Sequence, residues 1–137
     1  TNLLKEKLKK EQIEFSPNFF QNHIDKSYDV RVTMVGEKPF AVLIDSQQNN
    51  ETQTDWRRGE FPLKHININL PDDITSQCVS LLKTLNLRFG AIDFILDKSD
   101  NYIFLEINPN EQWAWIEKQT GCDISNEIVN LLEYENF

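Results

Sequence analysis

Residues 28–36 alternate. Val30, Val32 and Met34 fall on one face, and Asp29, Arg31 and Thr33 on the other. A period of two is expected of a strand with unlike faces. Gly36-Glu37-Lys38-Pro39 links it to a second apolar run, residues 40–46, which reads as its hairpin partner. Upstream, residues 1–14 are charged, with Leu3, Leu4, Leu8 and Ile13, and predict a short helix that Pro17 ends. Residues 19–24 read as a further strand. Residues 47–60 are polar, rich in Asn and Gln and without apolar period, so a loop is expected, interrupted by Asp55-Trp56-Arg57-Arg58. A short strand is expected over residues 65–69. Pro71 followed by Asp72 and Asp73 suits the first turn of a helix, with Ile74, Cys78, Leu81, Leu82 and Leu85 as its apolar stripe.

Two more apolar runs, residues 91–96 and 102–107, flank Asp97-Lys98-Ser99-Asp100-Asn101 and predict a hairpin. Residues 111–119 predict a helix stopped by Gly121. Asp123 is a candidate cap for a last helix that turns Ile124, Ile128, Leu131 and Leu132 inward. The order predicts an α+β fold, an antiparallel sheet with helices packed on one side of it.

The second hairpin carries the candidate chemistry. Glu106 and Asn108 are two apart on one strand and share a face. Pairing about the loop brings Asp93 beside them. Two carboxylates and an amide oxygen then converge, a hard-oxygen set suited to Mg²⁺, which completes its shell with phosphates and water. Acidic residues in strands are ordinarily solvent-facing. Here Ile92, Phe94, Ile103 and Ile107 line both faces, so the sheet is expected to be covered, and a buried carboxylate without a partner is costly. That favours the metal reading.

At 137 residues the chain has the length of one domain. A net charge of −8 argues against nucleic acid or an anionic membrane as partner, since both need basic patches. Cys78 and Cys122 lack metal-ligand spacing and read as reduced thiols of a cytoplasmic protein. No apolar run is long enough to span a membrane. His23 and His65 each stand alone and read as structural.

The strings "FFQNHIDKSYDVRVTMVG", "DWR", "FGAIDFI" and "FLEINPNEQWAWIEKQTG" carry a resemblance. The chain resembles the C-terminal part of ATP-grasp ligases, and most of all the maturases of graspetides, the microviridin-type ribosomal peptides. The resemblance runs from about Phe15 onward. It divides the chain into a helical remnant at 1–14 and an ATP-grasp C-terminal subdomain at 15–137. The four glycines, Gly36, Gly59, Gly90 and Gly121, form no phosphate-covering loop, so the chain reads as part of a longer enzyme and is expected to be inactive alone.

The resemblance implies ATP and two Mg²⁺ ions as cofactors, with Asp93, Glu106 and Asn108 as metal ligands. It implies Arg31 near the phosphates, where a planar cation binds two oxygens. An exposed ion pair is the plainer reading of that residue. Arg57, beside Trp56, is a candidate for holding a substrate carboxylate or phosphate. The hinge strand that binds adenine aligns with Gln21, Asn22 and Ile24, where many ATP-grasp hinges carry a Glu. Asp25 is a candidate for the ribose and Lys26 for added positive charge. Leu105 is a candidate adenine neighbour, although strict alternation would turn it away from Glu106. Asn110 is a candidate phosphate-side ligand ahead of a helix N-terminus. One of Trp113 and Trp115 is expected in the core and the other at a substrate or partner.

The reaction implied is ATP-dependent activation of Asp or Glu side chains of a ribosomal precursor peptide, captured by Ser/Thr hydroxyls or Lys amines as ω-esters or ω-amides. A homo-oligomeric intact enzyme is compatible with it. Two rivals remain. One is another ATP-grasp amino-acid or peptide ligase. The other is a non-catalytic nucleotide- or peptide-binding module.

Overall fold

A computed structural model describes residues 22–48, 56, 63–110 and 112–134. The expected helix at 1–14 lies outside them, as do Gln21 and Arg57. Among the described residues five strands form one sheet: β1 (Lys26–Val35), β2 (Lys38–Ile44), β3 (His65–Ile68), β4 (Phe89–Asp97) and β5 (Tyr102–Asn108). Their order is β3-β2-β1-β4-β5, and all neighbours are antiparallel. Three helices among the described residues follow the pattern of the sequence: α1 (Asp72–Thr84), α2 (Ala114–Thr120) and α3 (Ile124–Tyr134).

The β1–β2 hairpin forms because alternation meets a turn that the chain can make. Gly36 sits at φ 59, a left-handed conformation in which a Cβ is unfavourable. The β4–β5 turn is held by Asp97. Its Oδ1 accepts hydrogen bonds from the Ser99 and Asn101 amides at 2.8 and 2.9 Å, and its Oδ2 from Asn101 Nδ2 at 3.0 Å. The Asn101 side-chain bond, with the backbone bonds behind it, holds the Asp97 carboxyl below the usual range.

The sheet is covered on both faces, not one. Val30, Val32 and Met34 pack with Ala41, Ile92 and Phe94 against Cys78 and Leu82 of α1. The opposite face, through Val35 and Val42, packs on Ile116 of α2 and Ile124 of α3. Hydrophobic period assigns the buried side of a helix but not the face of the sheet that it meets, so the expectation of one covered side does not hold.

Other boundaries moved as well. Residues 22–25 are irregular, and β1 starts only at Lys26, so the strand expected at 19–24 is not found where it is described. Helix α2 starts at Ala114 and ends at Gly121, φ 70. Helix α3 is tied at its start by Glu117 rather than by an Asp123 side chain. The Glu117 carboxylate accepts from the Ser125 amide at 2.7 Å and from Ser125 Oγ at 2.8 Å. Leu132, expected inward, is exposed, whereas Ile124 is buried. Among the described residues no helix is long and apolar enough to cross a membrane.

Candidate active site

The open part of the second face carries the polar residues. Strand register sets Arg31 of β1 opposite Asp93 of β4, and Asp93 opposite Glu106 of β5. One cross-strand row therefore reads Arg31–Asp93–Glu106. The next row reads Thr33–Ala91–Asn108. Directly opposed residues bring their Cβ atoms to about 5 Å. The β4–β5 register thus sets Asp93 opposite Glu106, with Asn108 in the adjacent row.

Their environments differ. Arg31 and Asp93 are buried, with Arg31 Nε 3.0 Å from Asp93 Oδ1. Burying either charge without the other would be expensive. Glu106 and Asn108 are exposed, because β5 is the edge strand. The expectation that covered strands would bury every carboxylate of the set fails at Glu106. Asn108 Oδ1 accepts from the Asn110 amide at 3.0 Å, which closes the turn after β5.

Leu105 has its own explanation. Asp93 pairs with Glu106, while the next residue, Phe94, pairs with Phe104. Leu105 is the extra residue of a β-bulge, a local break in alternation that re-aims side chains. The objection from strict alternation therefore lapses, and Leu105 is exposed beside Glu106.

Lys26 does not supply an uncommitted positive charge. It is buried, and its Nζ donates to Asp29 Oδ1 and Oδ2 at 2.8 and 2.7 Å. Ser46 Oγ donates to Asp29 Oδ2 at 2.5 Å, and Gln47 Nε2 donates to Ser46 Oγ at 3.0 Å. This network ties the start of β1 to the segment after β2. Asp29 was visible as a polar-face residue of β1, but nothing in the sequence joins it to Ser46. Asn22 and Asp25 are exposed, Ile24 is half-buried, and His23 Nδ1 lies 3.8 Å from Asp25 Oδ1. Asn110 is exposed, in a turn four residues before α2. The helix N-terminus invoked for it is not adjacent, and α2 has only 7 residues.

An aromatic group completes the face. The guanidinium carbon of Arg31 lies 5.6 Å from the Trp56 ring centroid. Trp56 lies 5.4 Å from Trp115 of α2, and His65 of β3 meets Trp115 edge-on at 5.3 Å. Trp113 and Trp115 both pack on the Val35–Ile116 cluster, so the expected division between core and surface is not made. Trp115 also contacts Trp56 and His65.

Burial pushes the His65 imidazole below its ordinary value of 6.5. As pH falls through about 6.5, the unfolded chain takes up a proton that the folded chain resists. Stability is full above that pH and declines below it, until the folded histidine titrates too. A melting curve of the enzyme carrying this chain, taken from about pH 7.5 to 5, should show that decline. His65→Phe, which preserves the edge contact, should flatten it. An unchanged slope in the variant would assign the decline to other groups.

The donor set fits Mg²⁺. Two carboxylates and an amide are the sparse oxygen set expected of an ion that takes most of its shell from phosphate and water. No group of three or more His, Cys, Asp or Glu side chains able to hold a metal occurs among the described residues. A closed protein cage is thus not what the geometry offers.

Residues 3–132 match the RimK-like ATP-grasp domain. The chain belongs to the RimK-like ATP-grasp family. Among solved structures, this ATP-grasp domain is similar to a RiPP-associated ATP-grasp ligase of Chryseobacterium gregarium in complex with ADP and a leader and core peptide. The two share 35% identity at a TM-score of 0.74, over 82% of this chain and 34% of that one. It is also similar to macrocyclase MdnC of Microcystis aeruginosa bound with precursor peptide MdnA, at 36% identity and a TM-score of 0.69, over 82% and 35%. A curated relative, a probable alpha-L-glutamate ligase of Picosynechococcus, is 30% identical over 108 residues, 79% of this chain and 35% of the relative. The domain therefore spans about one third of the length of the relatives that it matches.

Proposed function

We propose that this ATP-grasp domain is the metal- and phosphate-holding part of a ligase that activates side-chain carboxylates of a ribosomal precursor peptide with ATP. Hydroxyls or amines of the same peptide then capture the acylphosphates as ω-ester or ω-amide cross-links. The row Arg31–Asp93–Glu106, on one face of the sheet, carries this reading. The peptide as substrate is supported by the likeness to two ATP-grasp enzymes whose structures hold precursor peptides.

In this reading Asp93, Glu106 and Asn108 hold Mg²⁺, in the family's manner two ions. Bound there, the metal would supply Lewis-acid neutralisation of phosphate charge. Arg31 adds a fixed cation on the same face. Asp93 holds its Nε, so the guanidinium meets the phosphates without reorganising, the condition under which electrostatic stabilisation is largest. Asn108 contributes oxygen without charge and keeps the site from repelling the triphosphate. Arg57 holds a substrate carboxylate. Asn22 and Ile24, with Gln21, offer backbone to adenine, Asp25 faces the ribose and Leu105 packs near the base. The setting is the cytoplasm, where ATP is available.

The second reading, addition of glutamate, follows from curated relatives at 28–30% identity that are named probable alpha-L-glutamate ligases. One assay separates the two. The full-length enzyme is incubated with Mg²⁺, ATP and either a Thr/Glu/Asp-rich precursor peptide or free glutamate, followed by mass spectrometry. Peptide cross-linking appears as loss of one water mass per bond, with no mass added. A gain of glutamate residues would replace the first reading with the second. The 137-residue chain alone should give no product in this assay.

A further inference from the structure

We propose that Trp56 is a positioning residue for Arg31, backed by Trp115, and that the pair fixes the guanidinium for the β- and γ-phosphates of the nucleotide. This rests on the phosphate role proposed for Arg31 above.

Arg31 is buried, yet its charge is needed at one orientation. Asp93 holds it at Nε, 3.0 Å away. The indole of Trp56, 5.6 Å from the guanidinium carbon, adds a contact to the face of the group through cation–π attraction. Trp56 is itself supported. Trp115 lies 5.4 Å from it at an interplanar angle of 39°, and His65 meets Trp115 edge-on. Trp115 belongs to α2, whose Ile116 is anchored under the sheet. The stack thus runs from α2 through two indoles to the guanidinium. It joins β1, the segment after β2, β3 and α2 over the row that holds Asp93 and Glu106. Tryptophan is the strongest partner for a cation among the aromatic side chains, and desolvation raises the value of the contact.

The test uses the full-length enzyme and two probes, a non-hydrolysable ATP analogue with Mg²⁺, and AMP. AMP lacks the β- and γ-phosphates, so its affinity reports the remainder of the nucleotide site. Affinities are measured by calorimetry for the wild type and for Trp56→Ala, Trp56→Phe, Trp115→Leu and the Trp56→Ala/Trp115→Leu pair. Trp56→Ala should weaken the analogue about tenfold and leave AMP unchanged. Trp56→Phe keeps a ring face and should recover most of the loss. The double variant should lose no more than Trp56→Ala alone, because both indoles act through Arg31. Equal loss for AMP and the analogue would make Trp56 merely structural and overturn the proposal, as would Trp56→Ala binding the analogue normally. A wild-type enzyme that binds neither probe would instead refute the ligase reading on which the proposal rests.

Discussion

Glu106→Gln in the full-length enzyme should abolish most turnover and leave the fold intact. Glutamine keeps the shape and one oxygen but removes the charge that would hold Mg²⁺ against the triphosphate. Loss of that stabilisation raises the barrier by several kcal/mol, so product formation should fall by at least about a hundredfold. Stability should barely move. Glu106 is exposed on an edge strand, and substitutions of that kind usually change stability by no more than about 0.5 kcal/mol. Removing the repulsion from Asp93 should also gain little, because Arg31 already pairs with Asp93. Mass spectrometry of the product and a thermal melt without Mg²⁺ check both halves. Near-normal turnover would remove Glu106 from the mechanism, and a collapsed melt would make it structural.

Asp29→Ala should give the largest loss of stability among the polar residues of this face. Lys26 and Asp29 are both buried, and the Lys26 ammonium donates to both Asp29 oxygens. Removing the carboxylate leaves a buried cation without its partner, at a cost of about 3–5 kcal/mol. It also frees Ser46 Oγ from its 2.5 Å bond. Removing both charges at once, as in Lys26→Met/Asp29→Leu, should recover most of the loss, since apolar side chains of similar size tolerate such a site. Ser46→Ala should cost about 1 kcal/mol, the usual worth of one hydrogen bond. Urea unfolding of the full-length enzyme separates these cases. A double variant as unstable as Asp29→Ala would show that the network is held by shape rather than by charge pairing.

The sequence made some of this legible for identifiable reasons. The alternation of Val30, Val32 and Met34 against Asp29, Arg31 and Thr33 appears intact in β1, because a central strand with unlike faces must keep its period. A short polar turn put Asp93 near Glu106 in the sequence reading, but the register it sets, with Leu96 opposite Tyr102, would by itself pair Asp93 with Leu105. The bulge at Leu105 was not legible, since it adds one residue without changing the apolar pattern around it. Lys26, Asp29 and Ser46 meet through tertiary packing, and none of the three advertises a buried role. Glu117 takes over the work expected of Asp123 because a neighbouring helix supplies the acceptor. The late start of α2 follows the same lesson, since Trp113 precedes the helix and is spent on packing.

The central claim is that Asp93, Glu106 and Asn108, with Arg31 beside them, form a site for a metal-bound nucleotide. Calorimetric titration of the full-length enzyme with a non-hydrolysable ATP analogue, with Mg²⁺ and again with a chelator, tests it most directly. The wild type should bind far more tightly with Mg²⁺, and Glu106→Gln should lose most of that enhancement while retaining its metal-free affinity. A Glu106→Gln variant that keeps the full Mg²⁺ enhancement would contradict the claim.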